Sequence, residues 1–254
     1  MSTNETNVIP TNSSTYLIKE NYSRFNSALW YNKIKDKKVV LAGVGGIGSY
    51  VSFLLSRLGI KELFLYDHDR VELSNLSGQL YTKQQIGKLK VEASKELAEG
   101  FSDYHTVYAI AEHYTEESMT SDIMICGFDN MAARKVFFEN WLEHVSKKET
   151  LEEKKQCLFI DGRLAAEEFQ VFAIQGDDER CIRLYEEKWL FTDLEALSTL
   201  CSYKQTTYMA NMIASTMVNI FINSISNQCG PLIDRDVPFY TTYNAETMYF
   251  KTKS

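Results

Sequence analysis

The chain has 254 residues, 44% hydrophobic and 24% charged, which is long enough to bury a sizeable core and ordinary for a globular protein. Its formal net charge of −7, with no basic stripe, argues against nucleic acid as the main partner. The five cysteines (Cys126, Cys157, Cys181, Cys201 and Cys229) form no CxxC pair. This spacing predicts neither a zinc site nor a disulfide framework, and it indicates a reduced, cytoplasmic protein.

Two stretches bear on targeting. Residues 1–15 are rich in Ser, Thr and Asn and have no apolar core, so residues 1–20 are predicted to form a flexible arm and not a signal peptide. The most apolar window, Met209–Ile225, contains three asparagines and is marginal in length for a membrane span. It predicts a buried core helix, and we expect no membrane association. Residues 21–254 are expected to form one domain.

Strands and helices alternate over the first 165 residues. Such alternation predicts a parallel, doubly wound sheet. In chain order we predict a helix at Asn21–Lys35, a strand at Lys38–Ala42, a helix at Ser49–Leu58, a strand at Glu62–Tyr66, a long loop at Asp67–Lys88, a helix at Lys90–Glu99, strands at Thr106–Ala111 and Asp122–Cys126, a helix at Met131–Val145 and a strand at Cys157–Asp161.

The pattern changes after residue 165. Phe169–Gln175 and Pro238–Lys251 predict strands outside the alternation, the second with a hairpin around Asn244-Ala245-Glu246. The charged stretch Glu149–Lys155 predicts a solvated loop. The expected fold class is therefore α/β: a Rossmann-like, doubly wound, mainly parallel sheet with additional C-terminal antiparallel strands.

A glycine-rich turn, Gly43-Val44-Gly45-Gly46-Ile47-Gly48, separates the first predicted strand from its helix. Glycines let the backbone approach a phosphate closely, and the free N–H groups of a helix start bind anionic oxygens. The turn also satisfies GxGxxG, and Asp67 follows about twenty residues later, where a dinucleotide-binding fold places its ribose acid. These residues alone favour an NAD- or FAD-binding oxidoreductase.

The residues after Asp67 change that interpretation. The chain reads Asp67-His68-Asp69-Arg70-Val71-Glu72-Leu73-Ser74-Asn75-Leu76-Ser77-Gly78-Gln79-Leu80, then Gly87-Lys88-Leu89-Lys90, and later Asp129-Asn130 with Arg134. This order resembles the ThiF/MoeB/HesA family, the ubiquitin-activating type of adenylyltransferase. That family shows a strand ending in DxD, a V-x-x-SNL-x-x-Q segment, a G-x-x-K element, and D-N followed by an Arg. The resemblance covers most of the chain.

The resemblance implies ATP- and Mg²⁺-dependent adenylation of a C-terminal carboxylate on a ubiquitin-like or sulfur-carrier protein or a peptide, in a homodimer. Its implied nucleotide contacts are Gly43, Gly45, Gly46, Gly48, Asp67, Asp69, Asn75, Gln79, Lys90 and Asn130. Lys90 would contact the ATP phosphates, and Asp129 would hold Mg²⁺. The plainer alternatives are that Lys90 is a solvated helix residue and that Asp129 caps the helix at Met131.

One departure from the family pattern concerns charge. Gly78 stands where family members commonly carry an arginine that meets the ATP phosphates. Lys88, Lys83 or Arg24 would have to compensate for it, or the catalytic step is weak. Arg24 itself resembles the arginine near the family's N-terminus that reaches into the partner subunit's site; the alternative is an exposed helix residue.

Cys201 precedes the long apolar helix, where a cysteine of the family can take the activated acyl group as a thioester or an acyl-persulfide. The nearby Lys204 and the helix start would favour its thiolate, but free cysteines are also common core residues. Cys126 and Cys157 are predicted to be core.

Arg163 would either contact a substrate tail or pair with a carboxylate, and the tail of a partner would cross the late strands. A non-catalytic ThiF-like adaptor and the oxidoreductase remain alternatives.

Overall fold

The computed structural model describes residues 24–101, 106–191 and 205–254. The predicted arm over residues 1–20 and Cys201 lie outside the described residues. Within them, one eight-stranded sheet has the order β3-β2-β1-β4-β5-β6-β7-β8. The strands are β1 (Lys38–Ala42), β2 (Glu62–Tyr66), β3 (Thr106–Ile110), β4 (Ile123–Cys126), β5 (Leu158–Ala165), β6 (Glu168–Gln175), β7 (Tyr240–Asn244) and β8 (Tyr249–Lys253).

The sheet is parallel from β3 through β5 and antiparallel from β5 through β8. Helices flank it on both faces, which confirms the predicted fold class. They are α1 (Tyr31–Ile34), α2 (Gly46–Leu58), α3 (Lys90–Glu99), α4 (Met131–Ser146), α5 (Leu151–Lys154), α6 (Glu179–Trp189) and α7 (Thr207–Asn227).

Alternate residues of β1 enter two separate cores. Val39 and Leu41 pack in the core that α2, α3 and α7 cover, whereas Val40 and Ala42 pack in the core beneath α4 and α6. All four side chains are 0% exposed, as expected of a parallel strand covered on both faces. The predicted bounds of β1, β2 and α3 are confirmed, and so is the buried helix α7.

Two local predictions are wrong. In the described part of Asn21–Lys35, residues 24–30 form turns and only α1 is helical; the Ala28 N–H donates to the Phe25 carbonyl at 2.9 Å. Asn26 and Ser27 lie in this stretch, and such side chains compete with helical hydrogen bonds. The charged stretch predicted as a loop contains α5.

Other short elements lie in segments predicted as loops or left without a structure. The long loop at Asp67–Lys88 contains two 3₁₀-helices, Leu73–Ser77 and Lys83–Gln85. Helix α6, whose N-cap Asp178 accepts from the Cys181 N–H, had no predicted counterpart. Among the described residues, no helix combines the length and the apolar character needed to cross a bilayer.

Candidate functional site

The glycine turn lies where the order of the strands reverses. From β1 the chain passes to β2 and β3 on one side, and then to β4 and β5 on the other. The Gly43 N–H donates to the Tyr66 carbonyl at 2.9 Å, and the Gly127 N–H donates to the Ala42 carbonyl at 2.8 Å. The ends of β1, β2 and β4 are thus tied together at the crevice in which open α/β sheets bind their ligands.

Close backbone packing explains the glycines of this turn. Gly43 has a φ of +82°, and a Cβ on it would lie 2.6 Å from the Gly127 carbonyl carbon. A Cβ on Gly48 would lie 2.9 Å from the Gly43 carbonyl carbon. Helix α2 begins at Gly46 with Gly45 as its N-cap, so its first N–H groups have no helical acceptor and are available to an anion.

Asp67 is fixed against the glycine turn. Its Oδ2 accepts from the Val44 N–H at 2.8 Å, and its Oδ1 accepts from the Asp69 N–H at 2.9 Å. A carboxylate has about four acceptor sites. Each oxygen therefore keeps the capacity to accept from a ribose hydroxyl, the role that the family resemblance implies.

Lys90 is a buried cation at the start of α3, only 7% exposed. Its Nζ donates to Asp69 Oδ2 at 2.8 Å. This hydrogen bond is the main reason why the pKa of Asp69 lies below its ordinary value. The alternative that Lys90 is a solvated helix residue is wrong. The structure instead brings Lys90, Asp69 and Asp67 together beside the turn.

Asn75 and Gln79 lie on the loop that faces the turn. Asn75 Oδ1 accepts from the Glu72 N–H at 2.9 Å and caps the first 3₁₀-helix, which leaves its Nδ2 as a donor. Gln79 Oε1 is buried and has no hydrogen-bond partner in the described part of the chain. The Gln79 Nε2 would lie 3.9 Å from a Cβ on Gly45. A buried, unsatisfied oxygen beside the glycine turn is typical of a site for a polar ligand.

Tyr81 was not among the predicted site residues, yet it anchors the turn. Its buried hydroxyl donates to the Val44 carbonyl and lies 3.2 Å from Ser94 Oγ on α3. Burial raises the pKa of Tyr81 well above its ordinary value, so the hydroxyl remains a donor. The only signal in the sequence was an aromatic residue within a polar loop.

Asp129 and Asn130 follow β4. Asn130 is the N-cap of α4, with Oδ1 accepting from the Ala133 N–H at 2.8 Å. The alternative that Asp129 caps this helix is therefore wrong, and the cap occupies the side-chain oxygen of Asn130. Asp129 is exposed. Its carboxylate offers the hard oxygen donors that Mg²⁺ prefers.

Arg134 belongs to a buried charge network behind this loop. Asp161, 0% exposed, accepts from Arg134 Nε and Arg163 Nε, each at 2.7 Å, and from the Tyr185 hydroxyl at 2.8 Å. Burial alone would raise the pKa of Asp161, but the two guanidinium charges hold it below its ordinary value. Of the two alternatives for Arg163, the structure shows pairing with a carboxylate.

Arg134 also supports the loop that carries Asp129. Its Nη2 donates to the Phe128 carbonyl at 2.6 Å, one residue before Asp129. Arg134 is itself only 4% exposed. The arginine therefore positions the loop from within the core.

The other predicted cations and cysteines have different surroundings. Arg24 is exposed at the start of the described residues. Lys88 Nζ pairs with Glu96 at 2.6 Å, so its charge is already engaged. Cys126 and Cys157 are 0% exposed, and burial raises the pKa of each thiol to about 12. Their predicted placement in the core is confirmed.

Among the described residues, two groups of side chains lie close enough together to hold a metal ion: Asp67-His68-Asp69, and Asp122 with His144 and Cys157. The first adjoins the glycine turn through Asp67. In the second, Asp122 Oδ1 accepts from Lys148 at 2.6 Å and from His144 at 2.9 Å, before β4 begins. This second group lies at the opposite ends of the strands, where β4 and β5 begin, and its ion pairs tie α4 to these strands.

Comparison with known proteins gives matches both in sequence and in structure. A ubiquitin-like modifier-activating enzyme 5 from Drosophila persimilis is 45% identical over 71 residues, which are 28% of this chain and 18% of that relative. The matched segment thus spans less than a fifth of the relative's length.

Solved structures match over a larger part of the chain. The crystal structure of selenomethionine PaaA has a TM-score of 0.71 at 16% identity, covering 98% of this chain and 77% of that chain. E. coli MccB with AMPCPP and MccA has a TM-score of 0.68 at 19% identity, covering 97% and 74%. At such identities the likeness shows the fold. The ThiF family model matches residues 18–253, from before the first described residue through β8, and the chain therefore belongs to the ThiF family.

Proposed function

We propose that the protein catalyses ATP- and Mg²⁺-dependent adenylation of a C-terminal carboxylate on a ubiquitin-like or sulfur-carrier protein or on a peptide. The observation that carries this proposal is the convergence of three features at the reversal of strand order. These are the uncapped start of α2, the Asp67 carboxylate and the ion pair between the buried Lys90 and Asp69. The names of the relatives support it, since one is an activating enzyme for a ubiquitin-like modifier and MccB was solved with AMPCPP and MccA.

The residues fit a nucleoside triphosphate. Gly43, Gly45, Gly46 and Gly48 present backbone without side chains, and the first N–H groups of α2 would bind phosphate oxygens. Asp67 would accept from the ribose hydroxyls, while Asn75 Nδ2 and the Gln79 amide would contact the nucleotide. Asp69 would act through Lys90, whose ammonium group it holds. Asn130 would contribute chiefly by ordering the loop after β4.

Adenylyl transfer depends on positioning and on neutralisation of charge, because the substrate carboxylate itself attacks the α-phosphorus and pyrophosphate leaves. Lys90 provides a fixed cation whose ammonium group Asp69 orients. Asp129 would hold Mg²⁺, which neutralises charge on phosphate oxygens when it is bound. The chain thus contributes binding, orientation and charge.

Several finer parts of the proposal rest on the family resemblance. The protein would act as a homodimer in the cytoplasm, with Arg24 reaching the partner's site and residues 21–254 forming the adenylation domain. The Cys201 thiolate would attack the acyl carbon of the adenylate, forming a thioester and releasing AMP. Membership of the ThiF family favours adenylation over the oxidoreductase alternative. A non-catalytic adaptor would bind a partner and release no pyrophosphate.

ATP–pyrophosphate exchange tests the proposal directly. Full-length protein with Mg²⁺ should exchange labelled pyrophosphate into ATP only when a protein or peptide with a free C-terminal carboxylate is present. The same acceptor with an amidated C-terminus is the matched control, because it lacks the attacking oxygen. Tight binding of NAD or a flavin, with no binding of ATP, would contradict adenylation.

Lys90→Met should lower the exchange rate by about 100-fold while changing ATP affinity much less, because the ammonium group stabilises charge that develops during transfer. Methionine keeps the buried stem and removes the charge. Lys95→Met is the control: Lys95 lies on the same helix and pairs with Glu99 at 3.9 Å on the surface. Equal losses of exchange rate and ATP affinity in Lys90→Met would show that Lys90 only anchors the nucleotide.

A further inference from the structure

Gln205 lies directly against the glycine turn. A Cβ on Gly46 would overlap Gln205 Oε1, the nearest atom, and would lie 2.5 Å from Gln205 Cδ and 2.7 Å from its Nε2. A Cβ on Gly78 would lie 3.0 Å from Gln205 Cγ and 3.3 Å from its Nε2. The carboxamide therefore fills the space that these two glycines leave open, between the start of α2 and the loop after β2.

Contacts on both sides of Gln205 hold it at this position. Its backbone forms a parallel bridge with Ala166 at the turn between β5 and β6. Two residues later, the Thr207 hydroxyl donates to the Ser77 carbonyl, next to Gly78. Helix α7 begins at Thr207. Contacts with the sheet and with the loop after β2 thus hold Gln205 in place, and the residue is half-buried.

Gly78 leaves space for the Gln205 side chain. The Cβ of an alanine at position 78 would be tight against that side chain, so a long side chain at position 78 would have to displace it. A carboxamide brings two N–H donors and no charge to this place.

We propose that Gln205 is a nucleotide-contacting residue of this site, and that its Nε2 donates to a phosphate oxygen held at the start of α2. The inference rests on the proposed function, since it requires a nucleoside triphosphate at the glycine turn. It goes beyond that function by assigning to Gln205, two residues before α7, a direct part in phosphate binding.

The test is calorimetric titration of full-length variants with ATP and with adenosine. Gln205→Glu keeps the size of the side chain but places a negative charge beside the phosphates. It should weaken ATP binding at least about tenfold and change adenosine binding less than about twofold. Gln84→Glu is the matched control: Gln84 is exposed in the second 3₁₀-helix, and the substitution changes the net charge equally. It should bind ATP like the natural protein.

Unchanged ATP binding by Gln205→Glu would overturn the inference. Equal losses of ATP and adenosine binding would also overturn it, because they would show that Gln205 shapes the site without contacting the phosphates. If the natural protein itself bound no ATP, the proposed function would fail, and that outcome is visible before any variant is made. A second measurement uses the fact that a side chain at position 78 and that of Gln205 would occupy the same space. As a single substitution, Gly78→Arg should weaken ATP binding. Combined with Gln205→Ala it should recover ATP binding, and additive losses would contradict the assignment.

Discussion

Asp161→Asn is expected to lower the free energy of unfolding by about 3–5 kcal/mol, the cost of breaking a buried ion pair by removing one partner. Asparagine has nearly the same shape but no charge. The buried Arg134 and the half-buried Arg163, each held at 2.7 Å by Asp161, would keep their guanidinium groups without this counter-charge. The measurement is urea denaturation followed by circular dichroism, with the midpoint and slope compared between variants.

The surface residue Asp234 supplies the control for this experiment. Asp234 is exposed, so Asp234→Asn should change the unfolding free energy by no more than about 0.5 kcal/mol. A loss in Asp161→Asn no larger than that in the control would show that the network does not stabilise the fold.

The pH dependence of this effect has a definite sign. Because the folded-state pKa of Asp161 lies below its ordinary value, its ionised form contributes stability fully above the ordinary pKa. That contribution is lost as the pH falls from the ordinary pKa of about 3.9 through the folded-state value. The difference between the natural protein and Asp161→Asn should therefore narrow at acidic pH and be constant near neutrality.

The parallel part of the sheet was predictable because its strands carry a strong local signal. In β1 and β2 a short apolar run is bounded by charged or turn-forming residues, and both strands begin and end where predicted. Helix α3 likewise begins at Lys90 and ends at Glu99, as predicted. The residues of the site that lie directly after strands, such as Asp67 and Asp129, could be placed for the same reason: topology brings the ends of neighbouring strands together.

Local sequence could not place contacts that depend on tertiary packing. Gln205 is far from Gly46 and Gly78 in the chain, and tertiary packing brings the three residues together. Pairing of Arg163 with a carboxylate was one of the two predicted alternatives, but local sequence could not identify Asp161 as the partner or Arg134 as the second arginine. Helix α6 was missed because its apolar residues lie within a strongly charged stretch, and Asp178 was its only clear start signal.

Asp129→Ala is expected to reduce Mg²⁺-dependent pyrophosphate exchange by at least about 100-fold while leaving the fold intact. Asp129 is exposed and does not cap α4, so its removal should change the free energy of unfolding by less than about 0.5 kcal/mol. The loss should appear as lower turnover and as a higher Mg²⁺ concentration for half-maximal exchange. ATP binding measured without Mg²⁺ should be unchanged.

Two control variants distinguish a metal ligand from a structural residue in the same loop. Asp236→Ala removes a carboxylate from another exposed position and should leave the exchange rate within about twofold of the natural protein. Asn130→Ala, in contrast, removes the α4 cap and should cost about 1 kcal/mol of stability. If Asp129→Ala exchanged pyrophosphate at the natural rate, Asp129 would not hold the metal. A loss of exchange accompanied by a loss of stability as large as that of Asn130→Ala would show that Asp129 acts by ordering the loop and not as a metal ligand.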